Sequence, residues 1–238
     1  DAQKSHGAYL HDSRSGKDYL DLFSFCASRP LSYNHPKLAD ETYLKKMAKW
    51  ASDRPSLSDV YTPEFGEFVE TFAGFTKRNH FKYLFFVEGG GLGVENALKA
   101  AFDWKVRKNM AAGHGELGKQ IIHFKEAFHG RTGYTLSLTN TDDPRKHMYF
   151  AKFPWPRITN PKMTFPNSDA NLSKTIELEK QAISEIEKAL AENPNDIAGL
   201  LIEPIQSEGG DNHFRPEFLK KLREMADEHE FLLIFDEV

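Results

Sequence analysis

Three short apolar runs constrain this chain most: Gln120-Ile121-Ile122-His123-Phe124, Ile197 to Ile202, and Phe231-Leu232-Leu233-Ile234-Phe235. Each is continuous rather than alternating. That is the pattern of strands buried on both faces, as in a mostly parallel sheet covered by helices. Tyr83-Leu84-Phe85-Phe86-Val87 reads the same way. Helical periodicity fills the intervals over Phe65 to Arg78 and Val94 to Asn109. It returns on the face Leu178, Ala182, Ile183, Ile186 and Leu190, and on the face Phe218, Leu219, Leu222, Met225 and Ala226 behind Pro216. Tyr134 to Thr139 fits either a helix start or a strand, and 142–171, rich in proline, reads as an irregular excursion. The fold class is α/β with a mostly parallel sheet.

The first sixty residues read differently. Ala8 to Asp12 and Asp18 to Phe23 flank a Ser15-Gly16-Lys17 turn, the pattern of a hairpin. Leu38 to Ala51 reads as a helix ending near Arg54-Pro55. The expected organisation is an N-terminal arm and helix over 1–60 and a larger domain over 61–238. The 238 residues are 39% apolar, enough for one large domain with an appendage. Mixed charges at a net −4 provide no basic face, so nucleic acid is not the expected partner. Cys26, the one cysteine, rules out an internal disulfide and fits a reducing, cytoplasmic setting. No apolar run approaches the ~20 residues that span a bilayer. The start has no initiator Met and no signal-peptide core, and the last apolar run is followed by three residues. Both features lead us to expect a portion of a longer chain.

In open α/β sheets, ligands bind beyond the carboxyl ends of the strands. After Val87 comes Glu88-Gly89-Gly90-Gly91-Leu92-Gly93 and a helix, a turn whose backbone N–H groups suit a phosphate, although a glycine-requiring turn reads equally well. Its spacing fits neither the dinucleotide fingerprint nor the P-loop. After Phe124 comes Lys125-Glu126-Ala127-Phe128-His129-Gly130-Arg131, which offers an aromatic face for a flat ring and a guanidinium for a carboxylate. Taken alone, a core Phe, a surface His and an ion-paired Arg explain that segment more simply. Glu203 follows Ile202, with Glu208 in the same loop, and Asp236 follows Phe235. A carboxylate at the end of a buried strand is costly unless paired, and a cationic ring nitrogen or a salt bridge would serve. A metal held by Asp236, Glu203, Glu208 and His129 is a rival, but the spacing matches no metal motif.

These segments resemble the class III aminotransferases, pyridoxal 5'-phosphate enzymes of fold type I. The likeness rests on Glu88-Gly89-Gly90-Gly91-Leu92-Gly93-Val94-Glu95-Asn96-Ala97-Leu98-Lys99, Ala127-Phe128-His129-Gly130-Arg131-Thr132-Gly133, Glu203 to Gly210, and Phe235-Asp236-Glu237-Val238. Within that family the chain resembles the L-lysine 6-aminotransferases, through Phe85 to Gly90, Gly133 to Asn140, His213 to Phe218 and Ser58-Asp59-Val60-Tyr61.

The resemblance implies roles by position. Gly90 and Gly91 would hold the cofactor phosphate, Phe128 would stack on the ring, and His129 would stand beside it. Asp236 would bond the ring nitrogen, and Glu203 would help position the ring. Arg131 would bind a substrate carboxylate, and Glu208 would be the acid that pairs with an arginine for one substrate and releases it for the other. The implied reaction moves the ε-amino group of L-lysine to 2-oxoglutarate, giving 2-aminoadipate 6-semialdehyde and glutamate, in a homodimer. The Schiff-base lysine is expected beyond Val238, so no catalytic residue is assigned within the chain. Ornithine or 4-aminobutyrate as donor, or a non-catalytic phosphate-binding fragment, remain the alternatives. Ser207 stands where the family has glycine, and Gly91 and Gly93 where it often has alanine.

Overall fold

The computed structural model describes residues 1–53, 55–57, 59–76 and 81–238, with the side chains of Cys26 and Ala27 also excepted. The expectations that fall on Arg54, Ser58, Arg78 and the Cys26 side chain lie outside the described residues. The chain forms two compact units, Asp1–Leu84 and Phe85–Val238.

In the first unit, β1 (Tyr9–Asp12) and β2 (Lys17–Leu20) form the expected antiparallel hairpin. Asp12 closes its turn by accepting from the Arg14 and Ser15 N–H groups and the Ser15 hydroxyl. A four-residue helix, α1 (Ser24–Ala27), follows. Helix α2 (Glu41–Ser52) begins three residues later than the sequence predicts, because Asp40 caps it by accepting from the Tyr43 N–H. Helix α3 (Pro63–Thr76) carries a run of aromatic contacts from Tyr61 through Phe65 and Phe68 to Phe72.

The second unit is built on four parallel strands. In chain order it comprises α4 (Gly90–Ala111), β3 (Gln120–Phe124), α5 (Thr135–Leu138), β4 (Arg157–Ile158), α6 (Asp169–Glu192), β5 (Ile197–Ile202), β6 (Ile205–Gln206), β7 (Asn212–His213), α7 (Pro216–Glu228) and β8 (Leu232–Phe235). The sheet runs β4-β3-β5-β8, every pair parallel. One face packs on α6 and α7: Ile122, Phe124, Leu200 and Ile202 meet Ile186, Phe218 and Leu222. The other packs on α4 and α5: Ile121, Ala198 and Leu201 meet Leu98, Ala101 and Leu138. The segment 134–139 is thus a short helix. The sheet and both helical layers agree with the α/β class predicted from the apolar runs.

Three local expectations differ. Tyr83 to Val87 is not a strand: no described strand pairs with it, and Tyr83 is 90% exposed. An apolar run alone does not make a strand, because its backbone N–H and C=O groups need a neighbour. Helix α4 starts at Gly90 rather than Val94, since glycines at a helix N-terminus extend it at little cost in the first turn. The buried stripe of α6 is Thr175, Glu179, Ala182, Ile186 and Ala189, so Leu178 sits at its margin.

Ile186 is fully buried between the sheet and α7. Ile186→Ala should destabilise the unit by about 2–5 kcal/mol, the usual range for truncating a core aliphatic side chain. Urea unfolding reads this as a lower midpoint at unchanged slope; an unchanged midpoint would contradict the packing.

Candidate functional site

Strand order reverses between β3 and β5. From β3 the chain steps to β4 on one side, then returns to β5 and continues to β8 on the other. Such a switch point opens a crevice beyond the carboxyl ends of the strands. Three of the sequence-predicted segments leave the sheet there, after Phe124, Ile202 and Phe235.

They are tied together by short polar contacts. The Phe128 N–H donates to Glu203 Oε1 at 2.8 Å, joining the β3 exit to the β5 exit. His129 Nδ1 lies 2.9 Å from Asp236 Oδ2, joining β3 to β8. With a proton on Nδ1 pointing at the carboxylate, the imidazole orients Asp236. The Asp236 N–H donates to the Ile202 carbonyl at 2.9 Å, which fixes the backbone beneath that carboxylate. His129 is buried, and its own N–H donates to Thr139 Oγ1 at 3.0 Å. The Thr139 hydroxyl in turn donates to the Gly130 carbonyl at 2.7 Å. His129 Nε2 is buried without a hydrogen-bond partner.

The glycine turn joins the same assembly from the side. Gly89 has φ +95°, a conformation suited to glycine, and no side chain caps α4. The first N–H groups of a 22-residue helix are therefore presented at its end without an N-cap side chain to accept from them. Gly130 packs so closely that a Cβ there would lie 2.9 Å from Gly91 Cα. Glu95, in the first turns of α4, accepts from Thr132 Oγ1 at 2.5 Å and from the Tyr134 N–H at 2.8 Å. Glycine contact and carboxylate clamp together hold the turn against the loop that carries Phe128 and His129. A Cβ at Gly93 would meet nothing within 4 Å, and one at Gly91 only ordinary contacts, so the alanines common in the family fit here too.

The structure thus brings Gly90, Gly91, Phe128, His129, Glu203 and Asp236 to one edge of one sheet. The two remaining positions are at the surface. Arg131 is exposed. Glu208, exposed in the loop between β6 and β7, is ion-paired with Lys146 rather than with an arginine. Ser207 is not among the residues of positive φ, so its loop accepts serine without strain. Sequence reasoning missed Glu95, Thr132 and Thr139, which act on neighbours rather than outward. It also missed His123 on β3, whose burial, with Arg157 and His129 nearby, pushes its pKa down to about 3 and keeps it neutral.

Glu203 is almost fully buried. Burial pushes its carboxyl above the ordinary 4.5; the Phe128 N–H and His129 pull it down, and Asp236 adds to the rise. An acid whose folded pKa is raised holds its proton longer in the folded chain than in the unfolded one. Stability therefore falls as pH rises from 4.5 through the elevated value. Glu203→Gln keeps an acceptor for Phe128 and removes the titration. Thermal midpoints should show the variant gaining on the parent as pH rises from below 4.5 to neutrality; a constant difference would contradict the burial argument.

The class III aminotransferase family model matches residues 1–238. The L-lysine-epsilon aminotransferases of Mycobacterium tuberculosis (strain H37Rv) and Amycolatopsis lactamdurans are 50% and 44% identical over 100% of this chain and 53% of each relative. The chain thus spans about half the length of the curated relatives it matches. A solved lysine aminotransferase from M. tuberculosis superposes with a TM-score of 0.92 at 48% identity, covering 99% of this chain and 54% of that one. A PLP-bound amine transaminase from an uncultivated Pseudomonas species, 21% identical at a TM-score of 0.78 over 99% of this chain and 51% of that one, bears on the fold alone. The parallel sheet with its glycine turn is that of the fold type I transferases, and the chain belongs to the class III aminotransferases.

Proposed function

We propose that the protein carrying this chain is a pyridoxal 5'-phosphate transaminase that moves the ε-amino group of L-lysine to 2-oxoglutarate. The observation that carries the reading is the Asp236 carboxylate, oriented by His129 at the switch point and joined there by the helix end that a phosphate needs. The donor assignment is supported by the 42–50% identity to L-lysine-epsilon aminotransferases.

The residues present fit the cofactor. The side chain of Asp236 is 11% exposed, and His129 engages its Oδ2, so a cationic ring N–H is the natural partner for Oδ1. The open first turn of α4 supplies N–H donors and a favourable dipole for the phosphate. When bound, the cofactor supplies an electron sink for the carbon that loses its proton. The chain's own residues do the rest. Gly90 and Gly91 hold the phosphate through backbone N–H groups. Phe128, its backbone fixed by Glu203, would offer its aromatic face to the cofactor ring. His129 keeps Asp236 aimed, and Asp236 holds the proton on the ring nitrogen. Arg131 takes a substrate carboxylate, and Glu208 adjusts to which substrate is bound. The lysine that binds the cofactor covalently lies, in this reading, outside the 238 residues. In the same reading the protein is a cytoplasmic homodimer with residues 61–238 forming part of the cofactor-binding domain.

Class III relatives that use 4-aminobutyrate are 29–31% identical to the chain, so donor choice is the part to test. The full-length protein, assayed with 2-oxoglutarate and either lysine, ornithine or 4-aminobutyrate, should show the highest kcat/KM with lysine. Turnover of ornithine or 4-aminobutyrate without lysine would move the reading to another ω-aminotransferase; no turnover of any of them would remove it.

A further inference from the structure

We infer that Gln206 is a positioning residue that fixes the backbone under Glu208 through a buried amide cluster, so that only the Glu208 side chain, ion-paired with Lys146 at the surface, moves when that pair opens. The inference rests on the reading of Glu208 as the acid that responds to substrate.

The loop between β5 and α7 folds back as the two-residue strands β6 and β7, pairing Gln206 with Asn212. Gln206 is fully buried, and both ends of its amide are used. Its Nε2–H donates to the Lys125 carbonyl at 3.1 Å, at the exit of β3. Its Oε1 accepts from Asn160 Nδ2 at 2.7 Å, beyond β4, and from Asn212 Nδ2 at 2.9 Å. Asn212 Nδ2 also reaches the Gly209 carbonyl at 3.0 Å and Glu126 Oε2 at 3.2 Å, and Glu126 is ion-paired with Lys162. One side chain thus ties the exits of two strands, β3 and β4, to the loop that follows β5.

Glu208 lies between two anchored points. Gln206 stands before it. After it, Gly209 packs on the Glu126 carbonyl so tightly that a Cβ would fall 2.0 Å from that oxygen. The Gly210 and Asp211 N–H groups both donate to the Ser207 carbonyl at 3.2 Å, closing the turn. The Glu208 side chain, by contrast, is 44% exposed. A pinned backbone under an exposed carboxylate confines motion to the side-chain torsions, so the acid swings between defined positions rather than drifting with its loop. An amide suits the pin because it offers donor and acceptor together without titrating; a carboxylate there would set its oxygen against the Lys125 carbonyl.

The test uses the full-length, cofactor-loaded enzyme and the variants Gln206→Met, Asn160→Asp, Glu208→Gln and Gln206→Met with Glu208→Gln. Readouts are KM and kcat for lysine and for 2-oxoglutarate, cofactor absorbance and the thermal midpoint. We expect Gln206→Met to change the ratio of the two KM values by about tenfold with cofactor occupancy retained, and to add less than about twofold when Glu208 is already Gln. Asn160→Asp, which replaces the donor facing Gln206 by an acceptor, should shift the ratio in the same direction and covers the case in which Gln206→Met does not fold. An unchanged ratio with only a lower midpoint, or the same ratio change in both backgrounds, would overturn the inference. If Glu208→Gln alone leaves both KM values unchanged, the reading of Glu208 fails, and the inference falls with it for that separate reason.

Discussion

The parallel pairing of β5 between β3 and β8 is the constraint on which the site depends. Because all three strands run the same way, their carboxyl ends open on one edge, and the residues that follow Phe124, Ile202 and Phe235 are delivered side by side. An antiparallel neighbour would have sent one of these loops to the opposite edge. The pairing in turn rests on apolar strands buried by helices on both faces, α6 and α7 against one and α4 and α5 against the other.

Two carboxylates at that edge create an electrostatic problem that the structure solves in different ways. Glu203 is sealed in and pushed toward its protonated form, where it serves as an acceptor for the Phe128 backbone. Asp236 is less enclosed and lies 2.9 Å from His129 Nδ1, which orients it when that nitrogen carries the proton. One acid therefore shapes the Phe128 loop, and in the proposed reading the other is the one that would face the ring nitrogen. A buried carboxyl held above its ordinary pKa, as Glu203 is, is a recurrent feature of active sites.

The sheet was legible in the sequence because its strands are continuous apolar runs, and β3 and β5 fall where those runs lie. Tyr83 to Val87 has the same composition, yet it forms no strand, because composition does not specify a partner. The segments that converge at the strand ends were legible as motifs. Their couplings were not. His129 and Asp236 are 107 residues apart in the chain, and Gln206 and Asn160 are 46 apart, so only the fold brings these polar side chains together. The strands β6 and β7, two residues each, are too short for any periodicity to reveal.

The central claim is that Asp236, aimed by His129, keeps a proton on the cofactor ring nitrogen. The most direct measurement is the 15N chemical shift of that nitrogen, labelled in the cofactor and bound to the full-length protein, compared between the parent and Asp236→Ala at neutral pH. The account expects a protonated nitrogen in the parent and a deprotonated one in the variant. A nitrogen with the same shift in both, with the cofactor still bound, would contradict it.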